Sequence, residues 1–114
     1  MKKFFLTADQ IRPLAHGHGG CIATDRITVD GLPVRFMYRE EPNNEMDSGW
    51  RFFSGAEDDA YMANPANHAI YDVNTIANYD ESILSFLDAE VGSVFEKIHD
   101  AQTFTAVTDW EPEE

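Results

Sequence analysis

His16, His18 and Cys21 lie close together, and imidazole and thiolate are the groups zinc takes as ligands. A closed structural zinc site needs four ligands. Cys21 is the chain's one cysteine, so the Cys-x-x-Cys half of such a site is missing. A cysteine beside a histidine also has the makings of a nucleophile pair, but a lone cysteine at a strand start more often serves as a small buried hydrophobe. Gly17, Gly19 and Gly20 suggest a phosphate cradle, yet a P-loop continues with Lys and Ser/Thr, whereas Gly20 is followed by Cys21. Asp58, Asp59 and Asp72 offer carboxylates for a divalent ion or an acid–base pair. The loop from Glu45 to Gly49 lacks EF-hand spacing, and acids in a helix first turn are explained by the helix dipole alone. The expectation is therefore no catalytic residue, no metal ligand and no cofactor.

Net charge is −13 and unevenly distributed. Residues 1–39 carry six Lys/Arg and three Asp/Glu, a sum of +3; residues 40–114 carry two and eighteen, a sum of −16. Such a surface repels phosphate backbones, which argues against nucleic acid, and it favours rapid encounter with a basic protein. A single cysteine excludes an internal disulfide and fits a reducing compartment. The opening apolar run, Phe4-Phe5-Leu6, stops too early for a signal peptide, and nothing approaches the ~20 apolar residues of a membrane span. The chain is expected to be a cytoplasmic protein that engages neither membrane nor nucleic acid. Its oligomeric state is not legible.

The elements that must position any site follow from pattern. The chain is short enough for one domain, residues 1–114, with an acidic tail at about 109–114. Thr7-Ala8-Asp9-Gln10 is a capping box, with Pro13 soon ending the helix it opens. Residues 21–40 read as strand, with Ile27 and Val29 in it and Asp30-Gly31 as a hairpin turn. Val34, Phe36 and Tyr38 are expected to form its apolar face. Trp50 to Phe53 is the next strand. Neighbours on a strand face opposite ways, so Trp50 and Phe52 share the core face while Arg51 and Phe53 take the other. Arg51 is expected to pair with Glu57 or Asp72. Ser54-Gly55-Ala56-Glu57 is a second capping box, opening a helix through Met62. Residues 69–73 form a strand and 74–79 a short helical connector. Asp80 caps a helix bearing Ile83, Leu84, Phe86 and Leu87. Ser93-Val94-Phe95-Glu96 opens a last helix to about Asp100, and residues 103–107 add a strand. The sum is α+β: one domain, mainly an antiparallel sheet, with several short helices.

Several phrases carry a family resemblance: Gly49-Trp50-Arg51-Phe52-Phe53-Ser54-Gly55 and Asn74-Thr75-Ile76-Ala77-Asn78-Tyr79-Asp80 above all, with Gly19 to Asp25, Val34 to Glu40 and Val91 to Glu96 beside them. On these the chain, over about residues 19–96, resembles a bacterial domain of unknown function grouped with the immunity proteins of polymorphic toxin systems, immunity-protein family thirty-three. The family commonly places proline after Asn-Tyr-Asp; here Glu81 stands there. The resemblance implies a cytoplasmic α+β domain without known cofactor or catalytic residues that binds and neutralises a toxin. With the charge imbalance, it points to a basic toxin domain contacted through Glu57, Asp58, Asp59, Tyr61, Tyr71 and Asp72. The alternatives are a metal- or small-molecule-binding protein or enzyme using the His16–Cys21 loop or the Asp72 region, and a general protein-interaction domain.

Overall fold

The computed structural model describes residues 3–15, 17–97 and 104–107. Six strands form one sheet: β1 (Gly20–Thr24), β2 (Phe36–Arg39), β3 (Asp47–Phe53), β4 (His68–Asp72), β5 (Val94–Glu96) and β6 (Thr105–Ala106), in the spatial order β4-β1-β3-β2-β5-β6. All neighbours are antiparallel except β1 and β3, which run parallel. Three short α-helices, α1 (Asp25–Thr28), α2 (Asp59–Ala63) and α3 (Val73–Tyr79), and three 3₁₀ segments complete it. This is the α+β domain expected.

β3 is central, and Ser48 to Phe52 are all buried. Its alternation sorts the sheet into two faces. Cys21, Ala23, Met37, Trp50 and Phe52 turn toward α1, α3 and the segment Glu81–Phe86, where they meet Ile27, Val73, Ile76, Ala77 and Ile83 in one core. Trp50 is its largest member, and its indole N–H donates to the Leu87 carbonyl at 3.1 Å, as a buried indole requires. Arg51 and Phe53 occupy the opposite face, as expected, where Arg51 pairs with Tyr38 and Phe53 with Phe36 in register.

Four local expectations are corrected. There is no hairpin at Asp30-Gly31. The chain enters α1 directly after β1, Ile27 is buried on that helix, and Gly31, at φ +77°, closes it by donating its amide to the Ile27 carbonyl at 3.1 Å. Asp-Gly suits a helix C-terminus as well as a turn, because both need positive φ. Turning into a helix instead of doubling back leaves β1 free to lie beside β3. On β2 it is Met37 that is fully buried, while Phe36 and Tyr38 lie half-buried on the other face. The Ser54 box forms without its helix: Glu57 folds back to accept the Ser54 amide at 2.9 Å and the Gly55 amide at 2.9 Å, and α2 starts later, capped by Asp58 on the Tyr61 amide at 2.7 Å. Residues 94–96, expected to open a helix, are β5, because Phe95 finds its partner in Met37 across the sheet. The Thr7 box is a single 3₁₀ turn over Ala8–Gln10, with Gln10 Oε1 accepting the Thr7 amide at 2.8 Å. The acidic tail at 109–114 lies outside the described residues.

The asparagine-rich phrase has a structural explanation. Asn74 and Asn78, one turn apart on α3, clamp the backbone of residues 12–15. Asn74 Oδ1 accepts the Leu14 and Ala15 amides at 2.6 and 2.8 Å, and Asn78 both accepts the Arg12 amide at 2.9 Å and donates to the Arg12 carbonyl at 2.8 Å. The Tyr79 hydroxyl donates to the Thr28 carbonyl at 2.9 Å and accepts the Leu6 amide at 3.1 Å. Asp80 Oδ2 takes the Val34 amide and the Lys97 ammonium at 3.0 and 2.8 Å. The phrase ties the N-terminal segment, β2's approach and β5's exit to one helix.

Candidate functional site

On the face away from the helices, Arg51 is almost wholly enclosed, its side chain only 3% exposed. It does not pair with Glu57 or Asp72. Its guanidinium donates to both Asp47 oxygens, at 2.9 and 2.8 Å, and Nε reaches Glu40. The fork matches the carboxylate, which is why arginine serves here. These bonds, with the Asn43 and Gly49 amides, hold the Asp47 carboxyl well below the ordinary carboxylate range against the opposing effect of burial.

Asp47 in turn shapes the loop before β3. Its carboxylate accepts the Asn43 amide at 2.8 Å and the Gly49 amide at 3.0 Å. Asn44 Oδ1 accepts the Met46 amide at 2.9 Å, and the Met46 carbonyl receives the Gly20 amide at 2.6 Å. Gly49, at φ +90°, lets the chain from Glu40 come close: a Cβ there would lie 2.2 Å from the Glu40 carbonyl oxygen. The loop is thus a wall bolted to the start of β1.

Between this wall and β4 lies a cavity of about 720 Å³. Gly19, Gly20 and Ile22 line its floor, Asn43 to Asp47 one side, and Ile70 to Asp72 the other. Met46 and Ile70 stand on its two sides, 81% and 78% exposed. Glu45 and Asp72 are exposed carboxylates on the same cavity, Asp72 also capping α3 through the Asn74 amide at 2.9 Å.

Cys21 is 1% exposed on the helix-facing side of β1, and its thiol is pushed far up, by burial first and by the Asp72 charge second, so it stays protonated and unreactive. His16 lies outside the described residues and His18 is half-buried. Among the described residues no cluster of three or more His, Cys, Asp or Glu is disposed to hold a metal ion.

The six partner-contact residues expected from sequence fall into two groups. Glu57, Asp58, Asp59 and Tyr61 surround the start of α2, near the end of β1 that pairs with His68; Tyr71 and Asp72 sit at the other end of β4. Glu57 is bound up in hydrogen bonds to Ser54, Gly55 and Thr24. Asp58 and Asp59 are exposed, and Tyr61 lies under the Arg26 guanidinium, 4.8 Å from the ring centre. Tyr71 is half-buried, its hydroxyl 3.2 Å from that of Thr28. Sequence reasoning missed Met46 and Ile70. The available signals were an apolar residue alone in a polar loop, and the alternation that sends Ile70 outward once Tyr71 faces the helices.

The sequence model of the Immunity protein Imm33 domain matches residues 21–108, most of the chain. The chain belongs to this family. The Imm33 match runs from β1 through β6, farther at its C-terminal end than the resemblance suggested, and takes in Met46, Asp47, Arg51, Ile70 and Asp72. The two Imm33-like phrases quoted above, around Trp50 and Asn74, are scaffold: one supplies the core strand and the Arg51 clamp, the other the α3 hub. Imm33 membership supports an immunity-type function. No curated protein and no solved structure matches the chain. Among the described residues no helix is long and apolar enough to cross a membrane.

Proposed function

We propose that this chain is an immunity-type protein that binds a basic toxin domain in the cytoplasm and neutralises it by covering the toxin's working surface, without catalysis of its own. The match to the Immunity protein Imm33 domain carries the reading. The charge supports it: −16 is concentrated beyond residue 39, a sign that repels nucleic acid and steers a cationic protein inward. In this reading Asp58, Asp59 and Asp72 supply exposed charge, Tyr61 and Tyr71 supply half-buried aromatic edges, and Glu57 holds the turn that presents the first two acids.

The test is co-expression with a candidate toxin domain, taken from any toxin gene found beside this one. The expected result is restored growth and a co-purifying complex, with affinity falling at least roughly tenfold when Asp58, Asp59 and Asp72 are together changed to Lys. Growth arrest undiminished by co-expression, with no complex formed, would overturn the reading.

A further inference from the structure

We infer that the cavity between the 43–47 loop and β4 receives an extended, basic segment of the partner. A Lys or Arg side chain of that segment sits between Glu45 and Asp72, and apolar neighbours lie on Met46 and Ile70. The inference rests on the toxin-binding reading and deepens it by naming the surface and the chemistry it takes.

Three independent observations converge here. Of the exposed large apolar side chains among the described residues, Met46 and Ile70 are the two most exposed, and they stand on opposite sides of one cavity. Exposed apolar side chains are common singly; two facing each other across a concave, charged surface mark a place where something else sits. The charge there selects the occupant. Glu45 and Asp72 are exposed and acidic, while Asp47 and the cation behind the loop, Arg51, neutralise each other. A cationic partner is complementary; nucleic acid and a second copy of a chain at −13 are repelled. The third observation is the floor. Gly20 presents bare backbone, and a Cβ there would stand 3.2 Å from the Met46 carbonyl oxygen and 3.7 Å from Ile70 Cγ2. With no side chain at Gly20, that position of the floor between the loop and β4, an edge strand of the sheet, stays low and the cavity stays deep enough for an extended segment to lie in it.

The wall is also preformed. Its hydrogen bonds to Asp47, Asn44 and the Gly20 amide are made within the chain, so little ordering accompanies binding.

The first arm of the test needs no toxin. A hexapeptide alternating valine or isoleucine with lysine is titrated into ¹⁵N-labelled protein at low salt. Amide shifts are expected at Gly20, Ile22, Glu45, Met46, Ile70 and Asp72 and not around α2, with none from the glutamate counterpart. The paired variant Met46→Lys and Ile70→Lys, exposed enough to leave the fold intact by circular dichroism, is expected to lose the shifts. Absence of groove shifts, or equal shifts from the acidic peptide, overturns the inference. So does a dimer that Ile70→Lys dissolves, which would give the groove to a second copy, or displacement of the peptide by a small molecule carried through purification.

The second arm uses the toxin domain. The paired variant is expected to weaken the complex by at least roughly tenfold. Undiminished binding would discard the groove and leave the toxin reading standing. Peptide binding in the groove without any toxin complex would discard the toxin reading and leave the groove.

Discussion

Arg51 and Asp47 lie four residues apart on one strand and meet in a two-pronged ion pair, with N···O distances of 2.9 and 2.8 Å, on the face of the sheet opposite the core. One side chain is 3% exposed and the other 12%. The pair joins strand to loop: Arg51 is fixed by β3, and Asp47 passes that fixity to the Asn43 and Gly49 amides.

Removing one partner of such a pair leaves a buried charge uncompensated. Asp47→Ala is expected to cost about 3 kcal/mol in urea unfolding, whereas replacing both partners by apolar residues of similar bulk, Asp47→Leu together with Arg51→Met, should cost less. Equal losses in both would show that packing, not charge, dominates at this position.

The same carboxylate sets an acid limit. Asp47 has a folded pKa below its unfolded value of ~3.9. Its contribution is therefore complete above the unfolded value and disappears as pH falls through the folded one. Asp80 and Glu57 shift the same way. In each, burial pushes the pKa up but is outweighed, for Asp80 by Lys97 and Ser82 and for Glu57 by Thr24 and Ser54. The melting temperature should hold from neutrality to about pH 5 and then fall steeply below about pH 4. Asp47→Asn should flatten that fall, which a circular-dichroism series would read directly.

Glu57 separates shape from contact. Its carboxylate collects the Ser54 and Gly55 amides and two hydroxyls. Glu57→Ala should lower stability by about 1.5–3 kcal/mol. Exposed Asp59, changed to Asn, should leave stability within about 0.5 kcal/mol and alter only partner affinity. A stability loss at Asp59 matching that at Glu57 would contradict this division.

Gly49 admits no side chain. Its φ of +90° and the 2.2 Å that would separate a Cβ from the Glu40 carbonyl oxygen both oppose substitution. Gly49→Ala is expected to destabilise by at least about 3 kcal/mol, combining backbone strain with displacement of the loop. Gly92, with nothing within 4 Å of its Cβ position, should tolerate alanine better, at about 1 kcal/mol. Denaturant midpoints of the two variants provide the comparison.

Toxin association should be fast at low ionic strength and slow markedly at about 0.5 M salt, where charges are screened within a few ångströms. Stopped-flow rates against salt measure this. An association rate indifferent to salt would remove electrostatic steering from the proposed mechanism.

Much of this protein was legible in its residues because the signals are local. Strand alternation put Trp50 and Phe52 on one face and Arg51 and Phe53 on the other, and the phrases around Trp50 and Asn74 carried the family. Composition fixed the charge, which does not depend on folding. What the chain could not reveal locally is who meets whom across distance. Asp-Gly is compatible with a hairpin and with a helix end; only the fit of Ile27 into the core selected the helix. Arg51 had several acids within plausible reach, and the register of β3 against its own preceding loop chose Asp47 and Glu40. The groove depends on β4 lying beside β1, which brings Ile70 opposite Met46 from a remote part of the chain. Side-chain type and spacing set local preference and net charge; the packing of the sheet, a non-local balance of burial and pairing, decided which preferences survived and which residues came to face one another.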